Sequence, residues 1–406
     1  MLQQTVAKKA GLHCLLVLLV SLPLHDGNAK QFTSLYSFEG GKKDGARPSG
    51  VITDQSGNFY GTTSEGGPQG YEGIVFELSQ SGIETVLHRF NIATDGAAPA
   101  FGVIRDADGN LYGTTELGDG DGCYTNGCGT VFSLKPDGTY TVLYDFQGGK
   151  DGGIPSGVIA DSSGNLYGTT QQGGTGCPNV GGCGTVFEIS SSGTESVLYT
   201  FIGGNDGAIP YAGLVEDAQG NFYGTTLEGG SSNCDGQGCG TVFKLAADGK
   251  ETTLYAFTDG NDGGYPEESL ILDKDGNLYG TTSGGGDANC AQGEGGCGVI
   301  FKITPSGTES VLYTFTGGSD GAEPFSPLIM DGKGDLFGTT EGGTGIDGTV
   351  FKLAPNGVET VLYTFKNIKK DGLSPFGQLA QFKGHFVGTT LGGGRRRNGT
   401  VYSLKQ

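Results

Sequence analysis

The tripeptide Gly-Thr-Thr recurs at near-constant spacing along this chain, and the recurrence restricts the fold to a repeat architecture. Seven copies begin at Gly61, Gly113, Gly168, Gly224, Gly280, Gly338 and Gly388, with consecutive spacings of 52, 55, 56, 56, 58 and 50 residues. A repeat of this length is one supersecondary unit, which needs neighbouring units to bury its apolar surface. The 406 residues are therefore predicted to form one repeat domain, although length alone would suggest two or three domains.

Each copy contains four short β-type runs, which we call a, b, c and d in chain order. In the third copy they are GVIAD (157–161), NLYGTT (165–170), GTVFEI (184–189) and SVLYTF (196–201). The segments between them are rich in Asp, Asn and Gly, which favour tight turns, and helical periodicity is absent. Runs c and d show little alternation, so we expect both faces of these strands to be covered. Runs a and b carry Gly, Thr and Ala, as expected where sheets converge on a narrow axis.

Four-stranded units repeated seven times predict an all-β fold, a seven-bladed β-propeller with four strands per blade. A parallel β-helix, the alternative, would have a shorter period. The ends of the chain indicate how the ring closes. Residues 32–38 (FTSLYSF) are a d-type run, and residues 399–404 (GTVYSL) are a c-type run. We therefore expect the N-terminal strand to complete the last blade, which removes two open sheet edges.

The repeated words "GNLYGTT", "GTVFKL" and "TVLYTF", followed by a loop of the type GGxDGAxP, resemble the GloVer tandem repeat of exported bacterial proteins. The resemblance covers essentially the whole chain after the N-terminal segment. It implies a β-propeller-like repeat architecture. The family brings no catalytic residues that could be transferred to this sequence.

The N-terminal segment has the pattern of an export signal. Lys8 and Lys9 precede an apolar run of about 13 residues, and small residues up to Ala29 offer a cleavage site. The run is too short for a membrane-spanning helix, for which about 20 residues are needed. We predict a signal peptide over 1–29 and a single domain over 30–406, located in the periplasm or outside the cell, without stable membrane insertion and monomeric.

The mature chain is strongly acidic. Residues 30–406 contain 22 Lys and Arg against 43 Asp and Glu, a formal charge of −21. Such a chain repels nucleic acid and anionic lipid, so neither is expected as a partner.

Eight of the nine Cys form close pairs between runs b and c. The pairs are Cys123 with Cys128, Cys177 with Cys183, Cys234 with Cys239 and Cys290 with Cys297. The four loops that contain them are longer than the three Cys-free loops, so each pair is placed where a loop needs a crosslink. An exported protein favours disulfides. Zinc held by two pairs from neighbouring blades, or free thiols, are the alternatives.

An Asp followed by Gly recurs in every loop between runs d and a. The seven residues are Asp44, Asp95, Asp151, Asp206, Asp262, Asp320 and Asp371. A ring of carboxylates could bind a cation such as Ca²⁺. The alternative, which we favour, is that each Asp accepts backbone N–H groups in its own turn. Apart from this possible Ca²⁺, no cofactor is expected.

Function is expected where copies depart from the common pattern. After the loop Pro, four copies carry an aromatic residue at the entrance to the inner strand, namely Phe101, Tyr211, Phe325 and Phe376, and the fifth copy has Glu267 and Glu268. Aromatic rings at a channel mouth can stack on a sugar or hold a peptide, whereas packing between blades is the structural alternative. The two Glu are expected to point to opposite faces as neighbours on a strand, so they do not form an acid and base pair.

Arg395, Arg396 and Arg397 form one basic cluster in the last b-to-c loop, which either captures a carboxylate or phosphate or is a solvated loop tip. No Ser/His/Asp arrangement or phosphate-binding loop is found. The sequence therefore predicts a non-enzymatic binding or scaffolding propeller that recognises a protein or polysaccharide on the face of the Cys loops. A propeller enzyme of glycosidase or lyase type, with carboxylates at the channel mouth, and a structural cell-envelope component are the alternatives.

Overall fold

Seven antiparallel sheets of four strands each make up the protein. The computed structural model describes residues 32–118, 123, 127–177, 181–230, 234, 236–290 and 295–406, and the predicted signal peptide lies outside them. Blade one is formed by residues 45–89, blades two to six follow with four strands each, and blade seven is formed by residues 373–405 and completed by residues 32–37. The predicted propeller of seven blades is confirmed.

The strand bounds follow the predicted runs. The first fourteen strands are β1 (Phe32–Ser37), β2 (Gly45–Thr53), β3 (Phe59–Gly66), β4 (Ile74–Leu78), β5 (Glu84–Arg89), β6 (Ile104–Arg105), β7 (Leu111–Thr115), β8 (Thr130–Leu134), β9 (Tyr140–Asp145), β10 (Gly153–Ala160), β11 (Leu166–Gln172), β12 (Thr185–Ile189), β13 (Glu195–Thr200) and β14 (Val215–Glu216). The others are β15 (Phe222–Thr226), β16 (Thr241–Leu245), β17 (Glu251–Ala256), β18 (Ile271–Leu272), β19 (Leu278–Thr282), β20 (Val299–Ile303), β21 (Glu309–Thr314), β22 (Ile329–Met330), β23 (Leu336–Thr340), β24 (Thr349–Leu353), β25 (Glu359–Thr364), β26 (Leu373–Phe382), β27 (His385–Gly392) and β28 (Thr400–Lys405). Two short 3₁₀ helices, Gly41–Lys43 and Gly204–Asp206, lie in d-to-a loops.

The ring closes through its first and last strands. β1 pairs antiparallel with β28, with Phe32 opposite Leu404 and Ser37 opposite Thr400. The Phe32 ring also stacks on Tyr363 of blade six, with centroids 4.1 Å apart. The predicted closure is therefore confirmed, and it joins blade seven to both of its neighbours.

The repeated motifs Gly-Thr-Thr of strand b and Gly-Thr-Val-Phe of strand c contact each other across the paired strands. Gly168 faces Phe187 in the strand register, and a Cβ atom on Gly168 would lie 2.7 Å from the ring. The second Thr, Thr170, forms a buried hydroxyl pair with Thr185 at 2.8 Å. The first Thr, Thr169, donates to the carbonyl oxygen of Ala212 in the next blade at 2.9 Å. The repeated motifs therefore form contacts both within a blade and between neighbouring blades.

The c strands are almost fully buried, as predicted. The prediction that both faces of the d strands are covered was wrong, because these strands form the outer edge of each blade. In β13, for example, Val197 is 37% exposed. A d strand has the apolar composition of a c strand, but only a c strand has a strand on each side and a blade on each face.

Replacing Gly168 by Ala is expected to destabilise the fold by about 1–3 kcal/mol, because the added methyl group overlaps the Phe187 ring. The free energy of unfolding in urea measures the effect. Gly332→Ala is the control, since a Cβ atom there meets no atom within 4 Å. Equal stability of the two variants would contradict this packing.

Candidate functional site

A cavity of about 510 Å³ runs along the axis and is walled by the inner strands and the segments that lead into them. All seven blades contribute to its wall, with residues 49–52, 100–104, 157–159, 211–215, 268–272, Pro327 and 376–378. The deep part is apolar, with side chains such as Ile104, Ile159 and Leu272. The part near the Cys loops contains aromatic side chains and the carboxyl group of Glu268, so the two ends of the cavity differ chemically.

The backbone before the loop Pro sets the shape of this entrance. The residue before that Pro has a left-handed conformation in every blade, with φ between 52° and 58°, at Arg47, Ala98, Ile154, Ile209, Tyr265, Glu323 and Ser374. Such a conformation is uncommon for residues other than Gly. In blades two and four to six, this segment is paired with the end of strand b, as Ala208 is with Glu228. The d-to-a and b-to-c connections therefore share one face.

Three of the four predicted aromatic residues line the cavity. Phe101, Tyr211 and Phe376 are half-buried in its wall, and the rings of Phe101 and Tyr211 meet edge to face with centroids 5.8 Å apart. Phe325 is also half-buried but is not part of this wall. An aromatic residue directly after the loop Pro therefore lines the cavity in blades four and seven but not in blade six, whereas Phe101 lies two residues after its Pro.

Glu267 and Glu268 precede strand β18 rather than lying on it, so the prediction of two neighbouring strand residues was wrong. Glu268 lines the cavity, whereas Glu267 accepts a hydrogen bond from Ser283 Oγ at 2.8 Å. Burial raises the pKa of Glu267 to about 7, with Glu341 and Glu323 adding to the shift against the lowering effect of Ser283. Burial and the charge of Glu267 raise the pKa of Glu268 to about 8.

Further carboxyl groups at the mouth were missed by the sequence analysis. Burial raises the pKa of Tyr211 to about 12, and the charges of Glu116, Glu267 and Glu268 contribute. Glu116 follows the Gly-Thr-Thr of blade two, as Glu341 does in blade six. The position after Gly-Thr-Thr varies between copies, and this variation was the sequence signal for a site there.

The seven loop Asp lie beside the outer strands, and none of them lines the axial cavity. Asp262 is typical, since its carboxylate accepts hydrogen bonds from the Thr258 N–H at 2.9 Å and from the Tyr255 hydroxyl at 3.0 Å. Equivalent hydrogen bonds from a backbone N–H group and a Tyr hydroxyl group are accepted by Asp44, Asp151, Asp206 and Asp320. Asp95 forms its hydrogen bond with His88, which stands in place of the Tyr. Asp371 forms a hydrogen bond with Tyr363. Among the described residues no group of three His, Cys, Asp or Glu could hold a metal ion. A cation at this ring remains a prediction.

At five interfaces a Glu of the next blade's outer strand approaches this Asp. The five residues are Glu84, Glu195, Glu251, Glu309 and Glu359. Burial and the neighbouring Asp raise their pKa values, to about 7 for Glu84, Glu251 and Glu359. At the other two interfaces an aromatic ring replaces the Glu. Tyr140 stacks on His88 at 3.9 Å, and Phe32 stacks on Tyr363.

The four predicted disulfides are confirmed. The second Cys of each disulfide is fully buried. These residues are Cys128, Cys183, Cys239 and Cys297. The bridged sulfurs are not zinc ligands, so that alternative is excluded. The bridges belong to blades two to five, so the three blades with short, Cys-free loops are also contiguous in the ring.

Arg395, Arg396 and Arg397 are exposed in the last b-to-c loop, which lies at blade seven on the same face as the Cys loops. The backbone N–H of Arg395 donates to Ser37 Oγ of β1 at 2.8 Å. The closing strand therefore fixes the base of this loop. In the part of the chain that the structure describes, no helix has the length and apolarity to cross a bilayer.

Comparison with known proteins places the chain in a family. The model of the Gloeobacter/Verrucomicrobia repeat matches residues 24–236, 95–292 and 179–402, and the chain belongs to this repeat family. No curated protein matches the chain.

Two solved structures are similar to this chain at low sequence identity, and the first shares its fold. An extracellular domain from B. thetaiotaomicron is similar with a TM-score of 0.55 and 12% identity, covering 92% of this chain and 40% of that chain. This chain therefore spans two fifths of the length of that protein. A gluconolactonase from Xanthomonas campestris has a TM-score of 0.43 and 11% identity, with 93% of this chain and 89% of that chain covered.

The raised pKa values of the interface Glu residues predict that the folded protein loses stability as the pH rises from mildly acidic to alkaline values. Their pKa values are raised above the ordinary value of 4.5, so their contribution is complete below pH 4.5 and is lost as pH rises through about 7. We expect the triple variant Glu84→Gln, Glu251→Gln, Glu359→Gln to flatten this decline by roughly 2 °C or more in thermal midpoint. Glu65→Gln, at an exposed carboxyl group, is the control. An unchanged pH profile in the triple variant would contradict the assignment.

Proposed function

We propose that this member of the Gloeobacter/Verrucomicrobia repeat family is an exported, non-enzymatic binding propeller that takes a neutral polysaccharide at its axial mouth. One observation carries the proposal. Three aromatic side chains and a carboxyl group converge on a cavity of about 510 Å³ at the end where the Cys loops lie. This volume is typical of small-ligand sites, which combine apolar walls with a few polar groups.

The chemistry of the mouth favours a sugar. Aromatic rings offer apolar faces to the C–H groups of a pyranose, and Tyr211 adds a hydroxyl group. Glu267 and Glu268 have pKa values of about 7 and about 8, so each can donate or accept a hydrogen bond near neutral pH. The surrounding carboxyl groups, which include Glu116 and Glu341, repel anionic ligands. The end of a neutral glycan chain therefore fits this cavity, because it can stack on the aromatic rings and is not repelled by the carboxyl groups.

Export is supported by the disulfides and by the N-terminal pattern. Disulfides persist in oxidising compartments and are rare in the cytosol of mesophiles. Four of them hold the loops of one face, where a binding protein outside the cell needs fixed loops. Periplasmic and extracellular locations are both compatible with this chemistry.

The test is a titration of the purified protein with a panel of neutral oligosaccharides. A sugar that binds only the folded state raises the thermal midpoint. Tyr211→Ala and Phe376→Ala are expected to weaken binding by roughly tenfold each, because each removes a ring from the wall. Phe325→Ala is the matched control, with an aromatic residue at the same repeat position but outside the cavity wall. Equal losses in all three variants, or no sugar that binds, would refute the proposal.

A second candidate function is catalysis, which the raised pKa values of Glu267 and Glu268 favour. A carboxylic acid that is protonated near neutrality can act as a general acid in glycoside cleavage. The alternative is a glycosidase or lyase with Glu268 as the group that faces the cavity. Turnover of a bound glycan, abolished in Glu268→Gln with binding retained, would replace the binding proposal by this one.

A further inference from the structure

The face of the Cys loops carries its positive charge in one sector. Ten Lys and Arg lie in the segments from the outer-strand Phe to the loop Pro and from Gly-Thr-Thr to the next strand. Nine of them belong to three neighbouring segments around blade seven, and we call this set the cationic sector. It consists of Lys42, Lys43, Arg47, Lys366, Lys369, Lys370, Arg395, Arg396 and Arg397. The tenth is Lys150 in blade three. In a protein with a net charge of −20, this separation singles out one edge of the face.

A groove of about 720 Å³ lies inside this sector, where the ring closes. Lys369, Lys370 and Arg395 line it together with Phe32, Ser34, Tyr36 and Ser37 of β1 and with Tyr363, Glu39 and Asp371. We call it the closure groove. The b-to-c loop of blade seven, which borders this groove through Gly394 and Arg395, is short and has no Cys.

The cations of the groove are available to a ligand. Lys369, Lys370 and Arg395 are exposed, and none of them forms an ion pair with a described residue. The four ion pairs within the described ranges use Arg47, His88, Lys274 and Lys352 instead. The Arg395 backbone is held by Ser37, so its loop is positioned without using the guanidinium group. Three unpaired cations around a concave surface are an arrangement suited to carboxylates.

We propose that the closure groove binds an acidic polysaccharide through the carboxylate groups of its uronic acid units. The groove combines three cations with two acids, Glu39 and Asp371. This mixture fits a polymer with one charge per sugar better than a densely charged polyphosphate. The stacked rings of Phe32 and Tyr363 border the groove and contact the apolar faces of the sugar, and the hydroxyl groups of Ser34 and Ser37 meet its hydroxyl groups. A concave site of this size admits a chain of sugars and not a flat lipid surface.

This site is separate from the axial mouth in position and in charge. The mouth is surrounded by Glu116, Glu267, Glu268 and Glu341, whereas the closure groove lies beside the outer strands of blades six and seven. The rest of the face repels a polyanion, so the ligand is directed to blade seven. The proposal therefore stands without the proposed function at the mouth.

The test is calorimetric titration of the purified protein with polygalacturonate and, for comparison, with neutral dextran. Polygalacturonate is expected to bind, dextran is not expected to bind in the groove, and the affinity for polygalacturonate falls as salt rises. The double variant Lys369→Gln, Lys370→Gln is expected to weaken this binding by about tenfold or more, and Arg395→Gln by a similar factor.

Lys150→Gln is the matched control. Lys150 stands directly before Asp151, as Lys370 stands before Asp371, but it lies outside the cationic sector. Its affinity for polygalacturonate should equal that of the unaltered protein, and so should that of Tyr211→Ala, which probes the mouth. Absence of polygalacturonate binding, or a loss as large in Lys150→Gln as in the groove variants, would overturn the proposal. So would equal binding of poly-glutamate or of anionic phospholipid vesicles, which would identify a protein or membrane partner.

Discussion

Every hydrophobic core in the part of the protein that the structure describes lies between two blades rather than within one, and the ring depends on this arrangement. The core between blades three and four, for example, joins Phe201 of one blade to Phe243 and Leu245 of the next. Seven such clusters occur among the described residues, one at each interface. A single blade therefore has no core of its own, and an open array of seven blades would leave two apolar faces in water.

The pairing of β1 with β28 protects the whole array, because it creates the seventh interface. The repeated Gly allows the Phe of the neighbouring strand to pack flat against the sheet, and the repeated Thr connects that sheet to the next blade. Sequence that serves these contacts cannot vary freely from copy to copy. Specific recognition is therefore confined to positions that the interfaces do not use.

Those positions give the face with the Cys loops a strong asymmetry. Blades two to five carry long, disulfide-bridged loops, whereas blades six, seven and one carry short loops. Carboxyl groups such as Glu116 and Glu341 surround the axis, and the cations collect beside the closure. The two ligand classes proposed here, a neutral glycan and an acidic one, follow from this division of charge over a nearly symmetric scaffold.

The sequence alone determined the fold, because the period, the four runs per copy and the complementary ends admit one closed arrangement. It also indicated which Cys residues would pair, since each has its partner in the same loop, but the structure was needed to decide between disulfides and zinc. Only the tertiary structure decided which side chains share a space. Phe101, Tyr211 and Phe376 reach the axial cavity but Phe325 does not, although Tyr211, Phe325 and Phe376 all follow the loop Pro directly. The approach of Glu84 to Asp44, and of Lys370 to Arg395, depends on how neighbouring blades are rotated and on how the ring closes. The residues of each pair come from separate segments of the chain, so no local sequence pattern predicts the distance between them.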